Sequence, residues 1–359
     1  MSLTIRERPA AKQASASQQA RMTLLQSLLQ CKSCSAGLIY EQTSYVCSSC
    51  AARYPIIDGI PRFVPAAFIE RDDAVDTTLN NDLSRKTKNY FGFEWDYFRD
   101  WGFIPDEEAA KDARACGGGS VSDRARAFQS KCRMDEHDLR AESIVLDAGC
   151  GNGRYSYEAA RRGPRLVVAV DIGYGAVTSA RDNTRDFDNV VVVQANLHEL
   201  PFRAEVFDAC FSNGVLMHTG DARRAFREVA RTLRPGGSFV AHVYQHLNAR
   251  WEENDRLLRN FTTGLSIEDN LELAKILSEL ARFLDRFPGA LARANEHLRL
   301  QCTEHHMFDW YSAPIATHHS YAEVAVWFAE NGFALLDSLP ANPDVPTGDW
   351  ACNLKGRKR

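Results

Sequence analysis

Four cysteines near the N-terminus have the spacing of a metal site. Cys31 and Cys34 form one Cys-x-x-Cys pair, and Cys47 and Cys50 form a second pair. Each pair can turn two thiolates toward one ion, and two pairs supply four sulfur ligands in tetrahedral geometry. Because four thiolates leave no position for a reacting water, we expect a structural Zn2+. A redox-active dithiol pair is the alternative.

The other cysteines show no such spacing. We interpret them as small buried hydrophobic residues, and they are Cys116, Cys132, Cys150, Cys210, Cys302 and Cys352. The N-terminal sequence lacks the apolar segment of a signal peptide, so we expect a cytoplasmic protein, in which thiols stay reduced.

A glycine-rich turn follows the first strongly apolar segment of the central region. The run at residues 144–146 leads into Asp147, then Gly149, Gly151 and Gly153 alternate with other residues before a helical segment. A buried strand that feeds a glycine turn and a helix N-terminus lets the backbone approach a ligand closely. This pattern predicts a ligand-binding loop.

Further apolar segments must position that loop. LVVAVD, NVVVVQAN and FDACFSNGV predict strands that end near Asp171, Asn196 and Asn213. A helix is predicted to begin at the N-cap Asp221 and to end at the glycine pair 236–237, before a fifth strand, SFVAHVY. Strands that alternate with helices predict a parallel sheet that binds ligands at its carboxyl edge.

This series resembles the class I S-adenosylmethionine-dependent methyltransferases of the methyltransferase type 11-like group. VLDAGCGNG, VVAVD, LPFRAEVFD, SNGVLMH and LRPGG occur in the order and spacing of that family. The resemblance implies an α/β, Rossmann-like sheet of seven strands that is parallel except for an antiparallel last strand. It also implies S-adenosyl-L-methionine as the cofactor. NAD shares the strand–glycine–helix arrangement, but its sequence pattern differs.

The resemblance also implies which residues bind the cofactor. Gly149, Gly151 and Gly153 would pass beside its methionine part, and Asp147 would orient its amino end through the loop. Asp171 would hold the ribose.

Two asparagines complete the implied cofactor site. Asn196 stands where the family usually has an aspartate that contacts the adenine amino group. Its amide oxygen can accept the same hydrogen bond, without charge assistance. Asn213 would lie where the fourth strand meets the cofactor and the substrate.

The cysteine segment resembles a second family. Followed by YPIIDGIPRF, it is similar to the zinc ribbon of the activator subunit of tRNA and protein methyltransferases. The charges of this segment nearly balance, and the chain carries a net charge of only −4. Nucleic acid is therefore not an expected partner.

The sequence predicts six segments. They are a disordered tail (1–22), a zinc ribbon (23–66), an aromatic-rich helical lid or linker (67–140), the cofactor-binding core (141–245), a helical cap insertion (246–320), and the final helix and strands of the core (321–359). The aromatic segment is either a core helix or a flap over the cofactor, and CGGGS (116–120) could be its hinge.

One amphipathic helix is predicted within the cap. It either packs on the core or binds a partner, and its predicted apolar face is Leu273, Ile276, Leu277, Leu280 and Leu284.

Histidines supply the candidate bases. The stretch QCTEHHMFDWYSAPIATHHS (301–320) is too irregular to predict a helix, and a metal site, a substrate wall and a surface loop all remain open. Within it, His305 and His306 are candidate bases and Tyr311 offers a hydroxyl. His218, which follows the fourth predicted strand, is a separate candidate base, or else a structural histidine.

Together these features predict methyl transfer to a small molecule with an oxygen, nitrogen, sulfur or carbon nucleophile, in bacterial secondary or cell-surface metabolism. No apolar run has the length of a membrane span. One alternative is an RNA or protein methyltransferase that reads its substrate with the ribbon. Another is a cofactor-binding protein, or an enzyme that does not transfer methyl, for example one that cyclises its cofactor. The sequence specifies no oligomeric state.

Overall fold

Two β-sheets organise the chain in the computed structural model, which describes residues 16–69, 83–111, 118–339 and 351–359. The small sheet contains β1 (Leu38–Tyr40), β2 (Ser44–Cys47), β3 (Arg53–Ile57) and β4 (Ile60–Pro61). The large sheet contains β5 (Ile144–Ala148), β6 (Leu166–Asp171), β7 (Val190–Gln194), β8 (Phe207–Asn213), β9 (Leu233–Tyr244), β10 (Phe333–Leu339) and β11 (Ala351–Lys358).

The large sheet confirms the predicted fold class. Its strand order is β10-β11-β9-β8-β5-β6-β7. Strands β5 to β9 run parallel, and β11 lies antiparallel between β9 and β10. Helices cover both faces of a parallel sheet, so its central strands are buried on both sides. Every residue of β5, β6 and β7 is accordingly buried.

Twelve α-helices occur among the described residues. They are α1 (Ala16–Leu28), α2 (Leu83–Tyr97), α3 (Asp106–Ala109), α4 (Val121–Ala127), α5 (Arg154–Ala160), α6 (Tyr174–Thr184), α7 (Ala222–Arg231), α8 (Ala249–Thr262), α9 (Ile267–Asp285), α10 (Ala290–Asn295), α11 (Glu304–Ser312) and α12 (Tyr321–Glu330). No helix in the described parts of the chain is long and apolar enough to cross a membrane.

The predicted boundaries of helix α7 are right at one end only. The Asp221 side chain accepts a hydrogen bond from Arg224 N, as an N-cap does. The helix ends at Arg231, however, and the glycine pair 236–237 lies within β9. A Cβ at Gly237 would lie 3.0 Å from the Asp208 carbonyl oxygen of the neighbouring strand region. The glycine therefore serves close strand packing rather than helix termination.

The N-terminal helix corrects the predicted tail. Residues 16–22, which were predicted to be disordered, belong to α1, and Met22 and Leu25 are buried. Their side chains join a core cluster that also contains ribbon residues. The apolar face of α1 was hidden among polar and small residues in the sequence. Residues 1–15 of the predicted tail lie outside the described residues.

The ribbon covers the edge of the large sheet at β7. Phe63 N donates to Gln194 O of β7 at 2.8 Å, and Gln30 N donates to Pro201 O, in the segment after β7, at 2.8 Å. An exposed edge strand offers unpaired backbone groups to other chains, so these contacts protect it.

Helices α8 to α11 lie between β9 and α12, in the predicted insertion. The buried side of α9 is formed by Asn270, Ala274, Ser278 and Ala281. The predicted apolar face is right only in part: Leu277 and Leu284 pack against the core, whereas Ile276 and Leu280 are exposed. The four side chains of the buried side are small, and they therefore allow α9 to approach α11 closely.

The histidine-rich stretch is also more regular than its sequence indicates. Residues 304–312 form α11, in which the Thr303 side chain caps the helix by accepting from His306 N. The helix is stabilised by burial on the core, which overrides weak local propensity.

Candidate active site

A cavity of about 260 Å3 lies at the carboxyl ends of the central strands. It lies where a parallel sheet of this kind binds its ligands. Five of the seven residues assigned to the cofactor line this cavity: Gly149, Gly151, Asp171, Asn196 and Asn213. The structure thus brings together residues from the carboxyl ends of four strands, β5 to β8, and from the loops that follow them.

The glycine loop has a backbone conformation that residues with a side chain could adopt only with strain. Gly149, Gly151 and Gly153 have φ angles of +95°, +53° and +81°. A Cβ at Gly149 would lie 2.3 Å from the side chain of Val215, and one at Gly151 would lie 2.7 Å from the ring of Trp95. The loop therefore keeps its close approach to the cavity only with glycine at these positions.

Two aspartates support the loop in different ways. The Asp171 carboxylate accepts hydrogen bonds from Gly151 N at 3.0 Å and Gly173 N at 2.9 Å, and it faces the cavity. Asp147 lies behind the loop, where it accepts a hydrogen bond from the Ser156 hydroxyl at 2.6 Å. Burial raises the pKa of Asp147 to about 7. Asp147 is therefore placed to support the loop from behind, because the cavity lining does not include it.

The two asparagines present different groups. The Asn196 amide oxygen accepts a hydrogen bond from His198 N at 2.9 Å, so one lone pair and the amide N–H groups remain for a ligand. The Asn213 amide oxygen is buried and has no hydrogen-bond partner within the described part of the chain. Buried polar atoms in proteins are normally paired. An unpaired oxygen at the cavity fits a ligand that donates a hydrogen bond, such as the ammonium group of S-adenosylmethionine.

His218 lies in the turn after β8 and lines the cavity. Its Nδ1 lies 2.5 Å from the carbonyl oxygen of Ile315. A carbonyl only accepts, so Nδ1 carries the proton and Nε2 carries a lone pair. Burial lowers the pKa of His218 to about 4, against a smaller raising effect of Asp309. The ring is therefore a neutral base at physiological pH.

Helix α11 contributes a carboxylate that the sequence analysis missed. Asp309 lines the cavity and accepts a hydrogen bond from the Tyr244 hydroxyl at 3.1 Å. The only signal in the sequence was its position in the histidine-rich stretch. Phe91 and Trp95 of α2 also line the cavity, so the aromatic segment is both a packed helix and part of the cavity wall.

The other three candidate catalytic residues do not line the cavity. His305 stacks on Trp101 with ring centroids 4.4 Å apart, and its Nε2 lies 3.2 Å from the buried carboxyl of Glu94. Burial lowers the pKa of His305 well below its usual value and raises the pKa of Glu94 well above its own. Burial therefore favours the neutral form of each group, and both side chains form part of the packing between α2 and α11.

His306 and Tyr311 also have local partners. His306 Nδ1 lies 2.6 Å from the Thr303 hydroxyl. The Tyr311 hydroxyl donates to Arg299 O at 2.9 Å and accepts from Arg299 N at 3.0 Å. These contacts stabilise the cap.

The four cysteines of the ribbon converge as their spacing predicts. The Sγ–Sγ distances are 3.6 Å for Cys31–Cys50, 3.4 Å for Cys34–Cys47 and 3.6 Å for Cys34–Cys50. Tetrahedral Zn–S bonds of about 2.3 Å place sulfurs about 3.8 Å apart. The donor set therefore fits Zn2+ with very little movement. Of the other cysteines, Cys116 lies outside the described residues.

Comparison with known proteins gives a match for the central segment. Residues 146–241 match the family model described as "Methyltransferase domain". The chain is 40% identical over 98 residues to malonyl-[acyl-carrier protein] O-methyltransferase of Salmonella typhimurium, covering 27% of this chain and 38% of that protein. It is 36% identical over 102 residues to 27-O-demethylrifamycin SV methyltransferase of Amycolatopsis mediterranei, covering 28% of this chain and 38% of that protein.

A similar solved structure is magnesium protoporphyrin IX methyltransferase from Synechocystis, with 15% identity and a TM-score of 0.44, covering 76% of this chain and 98% of that one. The chain spans only 38% of the length of each of the two relatives named above. The matched segment includes the glycine loop and the strand ends that line the cavity. Residues 146–241 thus carry the features of a methyltransferase domain.

Proposed function

We propose that this protein transfers a methyl group from S-adenosyl-L-methionine to a small-molecule acceptor. The observation that carries the proposal is a single cavity whose lining combines two chemically distinct groups of residues. The glycine loop, Asp171 and the unpaired Asn213 oxygen suit the cofactor, and His218 and Asp309 are able to bind an acceptor or take its proton. When bound, the cofactor would supply an electrophilic methyl group on a sulfonium.

The chain's own residues would then hold the acceptor and take its proton. The lone pair on His218 Nε2 is free for this purpose, because Nδ1 is bound to Ile315 O. An acceptor oxygen that has gained a methyl group while keeping its proton is a much stronger acid than an imidazolium with a pKa of about 4. A weak base therefore suffices, and it is never blocked by protonation near neutral pH.

Asp309 would orient the acceptor. Its carboxylate can accept a hydrogen bond from a hydroxyl or amine that enters the cavity, while Tyr244 holds it in place. Positioning is the larger part of catalysis in such a transfer, since the sulfur of the cofactor would leave as a neutral thioether and needs no acid.

The position of the ribbon favours a small acceptor over RNA or protein. Within the described residues, the cavity lining begins at Thr87 and includes none from the ribbon. The ribbon instead packs on the edge strand β7. We propose that it stabilises the fold rather than reads a substrate.

The experiment that tests the proposal traces a labelled methyl group. Purified full-length protein with methyl-labelled S-adenosylmethionine is offered a metabolite extract, total RNA and total protein in separate reactions. We expect label in a small organic product, whose mass identifies the acceptor. Label in RNA or protein would overturn the small-molecule assignment. Cofactor binding without any transfer would overturn the proposed activity.

Two variants sharpen this test. His218→Asn keeps a donor for Ile315 O but removes the base, and we expect kcat to fall by about 10²–10⁴-fold with cofactor affinity unchanged. His297→Asn, at an exposed position of the cap, is the matched control and should keep full activity. Equal activity of the two variants would exclude His218 as the base.

A further inference from the structure

We propose that His246, Glu252 and His318 form a second metal site that binds a divalent transition cation of the Zn2+ class. The three residues come from the segment just after β9, the first turn of α8, and the segment that precedes α12. One ligand atom from each lies within 4.8 Å of the others. The site is separate from the four cysteines and from the residues that line the cofactor cavity.

The donor atoms converge on one carboxylate. His318 Nδ1 lies 2.7 Å from Glu252 Oε2, and His246 Nδ1 lies 3.6 Å from Glu252 Oε1. Bonds of about 2.0–2.1 Å in a tetrahedral zinc site place neighbouring ligand atoms about 3.4 Å apart. The His246 distance already matches, and the His318–Glu252 contact must open by less than 1 Å (roughly 0.7 Å by the same geometry). The cation would replace the proton that now joins these two groups.

The backbone holds the two histidines in place before any ion binds. His246 N donates to His319 O at 3.1 Å, and His319 N donates to Tyr244 O at 2.9 Å. These paired bonds fix the two ligand-bearing segments side by side. Glu252 is fixed as well, because its Oε1 accepts from Leu247 N at 2.8 Å. A rigid donor set of this kind lowers the cost of binding an ion.

One ligand of the site is buried in the protein and another is exposed to solvent. The His318 side chain is only 7% exposed and lies beside Trp251 and Trp310, whereas His246 is 53% exposed. All three ligands line one open cavity, together with Glu253, Asp255, Arg256 and Arg259. The lining contains three carboxyl groups and two guanidinium groups, so acidic groups outnumber basic ones and the cavity favours a cation.

The ligand set indicates the class of metal. Two imidazoles and one carboxylate suit zinc and other first-row transition cations, and they leave at least one position for water or another ligand. An ion here would also tie helix α8 to the segment that carries Ile315, whose carbonyl fixes the ring of His218. A metal site was left open for the stretch that holds His318, but the sequence does not reveal Glu252 as a partner because it lies 66 positions away.

The test counts metal ions on the full-length protein. The protein is stripped with a chelator, reloaded with Zn2+ at buffered concentrations and measured by elemental analysis. We expect His246→Ala to bind one equivalent less than the wild type, or to bind that equivalent at least about tenfold more weakly. Because His246 is exposed, this variant should fold normally, which thermal unfolding would verify. His297→Ala, also exposed, is the matched control and should bind as the wild type does.

Loading with Co2+ separates the two sites. Thiolate-to-cobalt charge transfer reports the ribbon, and it should be equal in the wild type and in His246→Ala, while visible bands of a nitrogen–oxygen site should be lost only in the variant. Equal metal counts and equal affinities in His246→Ala and the wild type would overturn the proposal. So would loss of the thiolate signal alone.

Discussion

The chemistry available to His218 is set by its immediate contacts. The Ile315 carbonyl selects the tautomer, and burial keeps the ring neutral by lowering its pKa to about 4. Phe91 and Tyr244 pack against the ring with centroids 4.9 Å and 5.3 Å away. The same sequence position with a solvated ring would titrate near its usual value and would be partly charged at neutral pH.

Replacing His218 should change how stability depends on pH. An unfolded histidine has a pKa of about 6.5. Because the folded pKa is lower, the unfolded chain binds the extra proton as pH falls from about 6.5 to about 4, and stability is lost in that window. We expect His218→Asn to lose about 2 kcal/mol less stability than the wild type between pH 7 and about pH 4.5.

Urea unfolding at these two pH values measures the difference. Other buried histidines also contribute, including His242 with its pKa lowered to about 3. Their contribution is the same in both proteins and cancels in the comparison. An equal loss of unfolding free energy in the two proteins between these pH values would show that His218 is not held neutral.

Helix α2 reaches the cavity because two glycines let it approach α6. A Cβ at Gly175 would lie 2.0 Å from the carbonyl oxygen of Gly92. The two helices therefore touch through their backbones. This close contact sets the positions of Phe91 and Trp95, which form the wall of the cavity.

Gly175→Ala should push the two helices apart. Alanine favours a helix by about 1 kcal/mol over glycine, but the overlap with Gly92 O is expected to cost more than this gain. We expect a net destabilisation of about 1–3 kcal/mol and weaker cofactor binding, measured by denaturant unfolding and by calorimetric titration of S-adenosylmethionine.

Gly264→Ala provides the matched control for this change. A Cβ there would meet Phe261 O at 3.5 Å, which is an ordinary contact. We expect its stability to change by less than about 1 kcal/mol and its cofactor affinity to stay the same. If Gly175→Ala behaved in the same way, the backbone contact would not control the cavity wall.

The ribbon and the large sheet share one hydrophobic core. Leu29 and Phe63 of the N-terminal region belong to the same buried cluster as Phe202 beside β8. Arg203 N also donates to Leu28 O at 2.8 Å. The metal that we expect in the ribbon should therefore stabilise the whole chain and not the ribbon alone.

Cys34→Ser should lower the stability of the whole protein rather than of the ribbon alone. Structural zinc contributes roughly 10–16 kcal/mol of apparent binding free energy in small ribbons, so we expect loss of the ribbon zinc and a decrease of several kcal/mol. Because the core is shared, circular dichroism should show one transition at a lower temperature. Removal of zinc with a chelator should shift the wild type in the same direction.

Cys302→Ser removes a thiol that is not part of the ribbon and serves as the control. It should keep its zinc and unfold near the wild-type temperature. Two separate transitions in Cys34→Ser would show that the ribbon is an independent unit, and an unchanged zinc content would show that Cys34 is not a ligand.

Short spacings in the sequence were enough to predict much of this protein. The two Cys-x-x-Cys pairs, the alternating glycines and the order of strands and helices depend on neighbours along the chain. The four sulfurs converge as predicted, and Gly149, Gly151, Asp171, Asn196 and Asn213 line one cavity. Local periodicity reports such features because the backbone geometry of a turn or strand is repeated over only a few residues.

Contacts between distant segments could be found only in the tertiary structure. Asp309 reaches the cavity, while His305 is buried against α2, although both belong to one short helix. His318 meets Glu252 across the cap. A helix presents every side in turn, so its sequence does not specify which side a neighbour will cover. That choice depends on packing and burial, which involve residues far apart in the chain.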